Sequence, residues 1–165
     1  YLQAVLAARA RNFKLAGALI DLADDSLGDE PGLLLLKGIV ALTDNVPQRA
    51  QDALGTLVEM QPANARARRL LALAQWQGGD PEAVLATLRP LDDHYALTLS
   101  ARALEALGDR AAAADYLDRA AFYRRSGWPV EEPGTPVGAA AARSAQARAL
   151  LASGRNGEAI QLDPK

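Results

Sequence analysis

The chain repeats itself, and that repetition limits what it can fold into more than any other feature. "ARNFKLAGALIDLA" starts at Ala10, "DNVPQRAQDALGTL" at Asp44 and "GGDPEAVLATLRPL" at Gly78, each 34 residues after the last. "LGDRAAAADYLDRA" follows at Leu107, after 29 residues. In each segment a polar or glycine turn leads into an amphipathic pattern. Ala16, Ala50, Val84 and Ala113 share one position. Ile20, Leu54, Leu88 and Leu117 come four residues later, and Ala23, Leu57, Leu91 and Ala120 three after that. This i, i+4, i+7 stripe is one buried face of a helix.

An apolar helix also precedes every break: "YLQAVLAARA", "LLLLKGIVAL", "RRLLALAQWQ" and "LTLSARALEAL". Each unit is therefore helix, short turn, helix. Neither helix hides its apolar side alone, so successive units must stack. Asn12, Asn45, Asp80 and Asp109 stand where an N-cap belongs, offering a side-chain oxygen to a free backbone N–H. Pro47 and Pro81 fall in the first turn of the helices that follow, where a missing N–H costs nothing. Pro90 explains the short step. It removes one N–H and crowds the carbonyl of Ala86, so its helix is predicted to stop near Leu88. Asp92 and Asp93 are then caps for a helix starting near His94.

Composition agrees with helices. Half of the 165 residues are apolar but only 5% are aromatic, so small aliphatic side chains must do the packing. Alternating runs of β-branched residues are missing, which leaves little case for strands. A net charge of -2 and a pI near 5.4 argue against a nucleic-acid binder. The absence of cysteine excludes disulfides and thiolate metal sites. No apolar run approaches the ~18 residues of a membrane span. Tyr1 at the start and Met60 as the only methionine read as an internal piece of a longer chain. The Ala-, Leu- and Arg-rich text is of the kind that GC-rich bacterial coding produces.

These residues resemble the tetratricopeptide repeat (TPR) family, whose period is about 34 residues. Gly38 matches the family's first-helix glycine, and Gly79-Asp80 and Gly108-Asp109 match its turn, with Gly154-Arg155 a looser match. Ala50 and Ala113 match the small residue after the turn, and Pro62 the closing proline. The likeness covers roughly residues 1–121. Two positions depart from it. Leu34 replaces the family's aromatic, and Lys37 stands where leucine is usual and must snorkel. The resemblance implies an all-α fold, a right-handed superhelical array of antiparallel helix pairs. The expected units are about 1–30, 31–64, 65–93 and 94–121. Residues 122–137, with three prolines, read as a Pro/Gly-rich linker, and 138–165 as an atypical or truncated last repeat.

In such arrays the first helices line the concave surface; this too comes from the resemblance. Arg66, Arg69, Leu73 and Trp76 make one stripe. Leu35, Ile39 and Leu42 are its equivalents in the preceding unit, and Tyr95, Thr98, Arg102 and Glu105 in the following one. The expected groove holds Leu35, Ile39, Arg66, Arg69, Leu73, Trp76, Tyr95 and Arg102, and suits a peptide with an apolar residue and a carboxylate. Arg and Trp are enriched among binding hot spots. The plainer reading of each residue competes: the arginines as solvated charges, Trp76 as a cap on the core, and Leu35 and Ile39 as core.

Other signals point to structure. His94, the only histidine, sits among capping aspartates at a helix start and reads as structural. Glu131-Glu132 read as solvated loop charges. Arg124-Arg125 beside Phe122, Tyr123 and Trp128 read as a cover for the fourth unit. "GRNGEA" lacks the Lys-Ser/Thr of a phosphate loop. No catalytic set, metal-ligand spacing or cofactor motif is present. The Lys/Asn set of the family's carboxylate-clamp members is also missing. The expected function is a non-catalytic scaffold that binds a protein or peptide in the groove, with no cofactor, no nucleic acid and no membrane insertion, and with self-association through open array ends. The competing expectation is a repeat arm of a larger enzyme or cell-envelope complex.

Overall fold

The computed structural model describes residues 2–27, 29–126, 130, 132 and 133, without the side chains of 23–28. Eight helices and no strand are found among them: α1 (Leu2–Arg9), α2 (Phe13–Leu27), α3 (Pro31–Thr43), α4 (Pro47–Met60), α5 (Ala65–Gln77), α6 (Pro81–Leu88), α7 (His94–Ala106) and α8 (Arg110–Arg125). The fold is an all-α array of antiparallel helix pairs. Each helix packs on its neighbours in sequence. In addition α3 packs on α5 and α5 on α7, whereas among the described residues no two second helices meet to a comparable degree. The first helices α3, α5 and α7 therefore close ranks along one side of the array.

One turn recurs four times. The residue before each cap takes a left-handed conformation: Arg11 (φ 57°), Asn45 (φ 56°), Gly79 (φ 79°) and Gly108 (φ 87°). The next N–H then reaches back five residues to a helix carbonyl: Asn12 to Ala7 at 2.9 Å, Val46 to Ala41 at 2.9 Å, Asp80 to Gln75 at 3.0 Å, and Asp109 to Leu104 at 2.9 Å. This is a Schellman closure. Asn12, Asp80 and Asp109 then cap the following helices, accepting from Leu15, Ala83 and Ala112 N–H respectively. Asn45 does not cap, contrary to expectation. It supplies the left-handed residue, a place asparagine fills better than most side chains. Val46 is left at the cap position with no side-chain acceptor. Elsewhere Glu30, Asn64 and Asp93 cap α3, α5 and α7. Asp92 does not cap; it pairs with Arg119 at 2.5 Å.

The stripe residues form the core. Ala16, Ala50, Val84 and Ala113, then Ile20, Leu54 and Leu88, are all at most 1% exposed. Leu117, their equivalent on α8, is 42% exposed. α8 is the last described helix and packs on α7. Gly38 sets the spacing between α3 and α4: a Cβ there would lie 2.4 Å from Leu54 Cγ. Lys37 is half-buried. α6 ends at Leu88, two residues before Pro90, and is only eight residues long.

Candidate functional site

The face made by α3, α5 and α7 is built from the first turns inward. Asn64 fixes the start of α5 by accepting from Ala67 N–H at 3.0 Å. Asp93 fixes the start of α7 by accepting from Ala96 N–H at 3.1 Å. The other oxygen of Asp93 receives Arg69 from α5 at 3.1 Å. The Arg69 guanidinium also lies 6.0 Å from the centre of the Tyr95 ring, within cation–π range. One arginine thus ties α5 to the first turn of α7. The pair is about one quarter to one third exposed, so water screens it only partly.

Of the eight residues expected in the groove, Arg66 and Arg102 are exposed, and Leu35, Ile39, Arg69, Leu73 and Trp76 are half-buried. Trp76 packs on the cluster that contains Ala72, Val84, Leu88, Tyr95 and Leu99, with part of its ring left open. Leu35 and Ile39 pack on the cluster around Leu54, Leu57 and Leu70. Tyr95 differs from expectation. It is 2% exposed, a core residue lying beneath Arg69 rather than part of the wall. Thr98, its neighbour one turn on, is 8% exposed, and its hydroxyl has no hydrogen-bond partner among the described residues. Helical register placed both on the groove side. The Arg69–Asp93 link covers that side at the start of α7, and a long-range ion pair leaves no mark in local periodicity.

Arg66 has no ion-pair partner among the described residues. Arg68 reaches toward α6. It donates to the carbonyl of Pro62 at 2.8 Å and to that of Thr87 on α6 at 3.3 Å. Arg102 donates to the carbonyl of Pro133 at 3.2 Å. Residues 132 and 133 therefore lie against the fourth unit. Glu132, expected as a solvated loop charge, is held instead by Arg124 at 2.6 Å and by His94 Nε2 at 2.9 Å. Burial pushes its carboxyl up, but the hydrogen bonds and charges of His94 and Arg124 outweigh that and hold it below the ordinary carboxylate value. Tyr123 donates its hydroxyl to the Asp92 carbonyl. Phe122, expected as part of a cover, is 65% exposed and makes a T-shaped ring contact with Tyr123. Trp128 and the last repeat fall outside the described residues. Among the described residues no cluster of His, Asp or Glu could hold a metal ion, and no helix is long and apolar enough to cross a membrane.

No family model and no curated protein matches the chain. Among solved structures it is similar to MamA (AMB-1, C2221), a TPR-like helical repeat protein. The TM-score is 0.62 at 19% identity, over 97% of this chain and 90% of MamA. That likeness shows the fold: a TPR-like array of helix pairs.

Proposed function

We propose that the protein is a non-catalytic scaffold that binds a protein or peptide segment along the face of α3, α5 and α7. The observation that carries this reading is the strip of half-buried Leu35, Ile39, Leu73 and Trp76 running beside the exposed cations Arg66 and Arg102. Apolar surface left half open next to positive charge suits a segment with an apolar anchor and a carboxylate. Arg69 serves within the chain, holding Asp93, so a ligand carboxylate meets Arg66 first. Tyr95 supports Arg69 from below rather than touching the partner. The similarity to a TPR-like structure agrees with an interaction role.

An Arg66→Glu/Leu73→Glu variant tests the reading. It changes the face without touching a buried side chain. Compared with wild type in the native host, the folded variant is expected to lose its partner. Retention of every partner by a variant with unchanged helical circular dichroism contradicts the groove assignment.

A further inference from the structure

α6 is eight residues long, against 14 for α4 and 16 for α8, because Pro90 stops it at Leu88. Beside its shortened end a cleft of about 580 Å³ opens between α6, α7 and α8. Small-molecule sites span roughly 300–1,000 Å³. One face of α7, carrying Leu97, Ser100 and Leu104, lines the cleft. Tyr95, Thr98 and Arg102 lie on the other side of that helix by register, so the cleft is separate from the first-helix face.

The preceding unit shows why the space is open. Counting 29 residues back, Leu97, Leu104 and Tyr116 correspond to Arg68, Gln75 and Thr87. There Arg68 donates to the Thr87 carbonyl, and the Thr87 hydroxyl donates to Gln75 at 2.8 Å, so polar side chains bridge α5 and α6. The leucines of α7 can make no such bridge. Ser100 is 5% exposed, and its hydroxyl has no hydrogen-bond partner among the described residues. Arg119 is already committed: it pairs with Asp92 and lies 5.2 Å from the centre of the Tyr116 ring. Arg89, at the end of α6, is exposed and has no ion-pair partner among the described residues. The cleft thus sets two guanidinium groups against one carboxylate, beside aliphatic walls.

We propose that this cleft binds a free, medium-chain aliphatic monocarboxylate. One uncommitted cation calls for one negative charge, and the unsatisfied Ser100 hydroxyl calls for an oxygen acceptor rather than plain hydrocarbon. The carboxylate takes Arg89 and Ser100 as partners, and the chain covers Leu85, Leu97 and Leu104. The site does not depend on what the first-helix face binds.

Decanoate is the probe, kept below its micelle-forming concentration and titrated into the isotope-labelled full chain. The expected result is a saturable shift of amide NMR signals in α6, α7 and α8. Acetate has the charge without the chain, and decyltrimethylammonium the chain with the opposite charge. Both are expected to bind about tenfold more weakly or worse. Arg89→Glu should weaken decanoate by about tenfold, through lost attraction and added repulsion. Ala86→Trp fills the cleft from an exposed position and should abolish binding. Arg66→Glu/Leu73→Glu should bind decanoate as wild type does, which keeps this test apart from that of the groove. No saturable shift with decanoate overturns the proposal, as do shifts centred on the face of α3, α5 and α7. So does equal binding by decyltrimethylammonium, or by Arg89→Glu or Ala86→Trp with helical circular dichroism confirming the fold.

Discussion

At the scale of single residues, space and charge decide. Gly38 leaves no room for a methyl group: the Leu54 side chain occupies the place a Cβ would take. Gly38→Ala is expected to destabilise the protein by about 1–3 kcal/mol through overpacking, read as a lower midpoint in urea unfolding. An unchanged midpoint would mean that α3 and α4 are not packed this closely. Arg69 and Asp93 are expected to couple by about 1 kcal/mol in a double-mutant cycle on stability, because both are partly withdrawn from water. Strictly additive single and double variants would show that Arg69 does not tie α5 to α7. Glu132 sets an acid limit. Its folded carboxyl sits below the ordinary value, so its contribution is fully present above the unfolded-state value. That contribution is lost as pH falls through the lower, folded value. Melting temperature should therefore drop more steeply in wild type than in Glu132→Gln on going below about pH 4. Parallel slopes would count against the ion pair.

At the scale of elements, the four turns carry a rule that local sequence reveals only in part. Caps at Asn12, Asp80 and Asp109 could be read from residue type and position, as could the stop of α6 ahead of Pro90. Asn45 was one residue out of register as a cap, because asparagine serves both the cap and the left-handed position. Only the end of α3 decides between them. Arg11, in the same left-handed place, carries no sequence signal of the kind glycine gives. The uncapped second turn yields a prediction. Val46→Asp should stabilise the protein by about 1 kcal/mol by giving α4 the acceptor its counterparts have. A lower melting temperature would show that Val46, 45% exposed, contributes more by packing than a carboxylate does by capping.

At the scale of the whole molecule, periodicity exposed the architecture, since the same buried stripe returns in every unit and each unit needs a neighbour to cover it. The candidate face was legible only as a register. Which of its residues remain open depends on contacts between units. Tyr95 went under Arg69, and His94 found Glu132 38 positions away. No local pattern predicts such meetings; a lone histidine among capping acids was the one available hint.

The central claim is that stability passes from each helix pair to the next rather than through one shared core. Native-state hydrogen exchange on the intact chain tests it most directly. The account predicts graded protection, lowest in α1, where Leu2 and Leu6 are 70% and 55% exposed, and highest in α3 to α7, in the middle of the described array. A single global opening rate shared by α1 through α8 would contradict it.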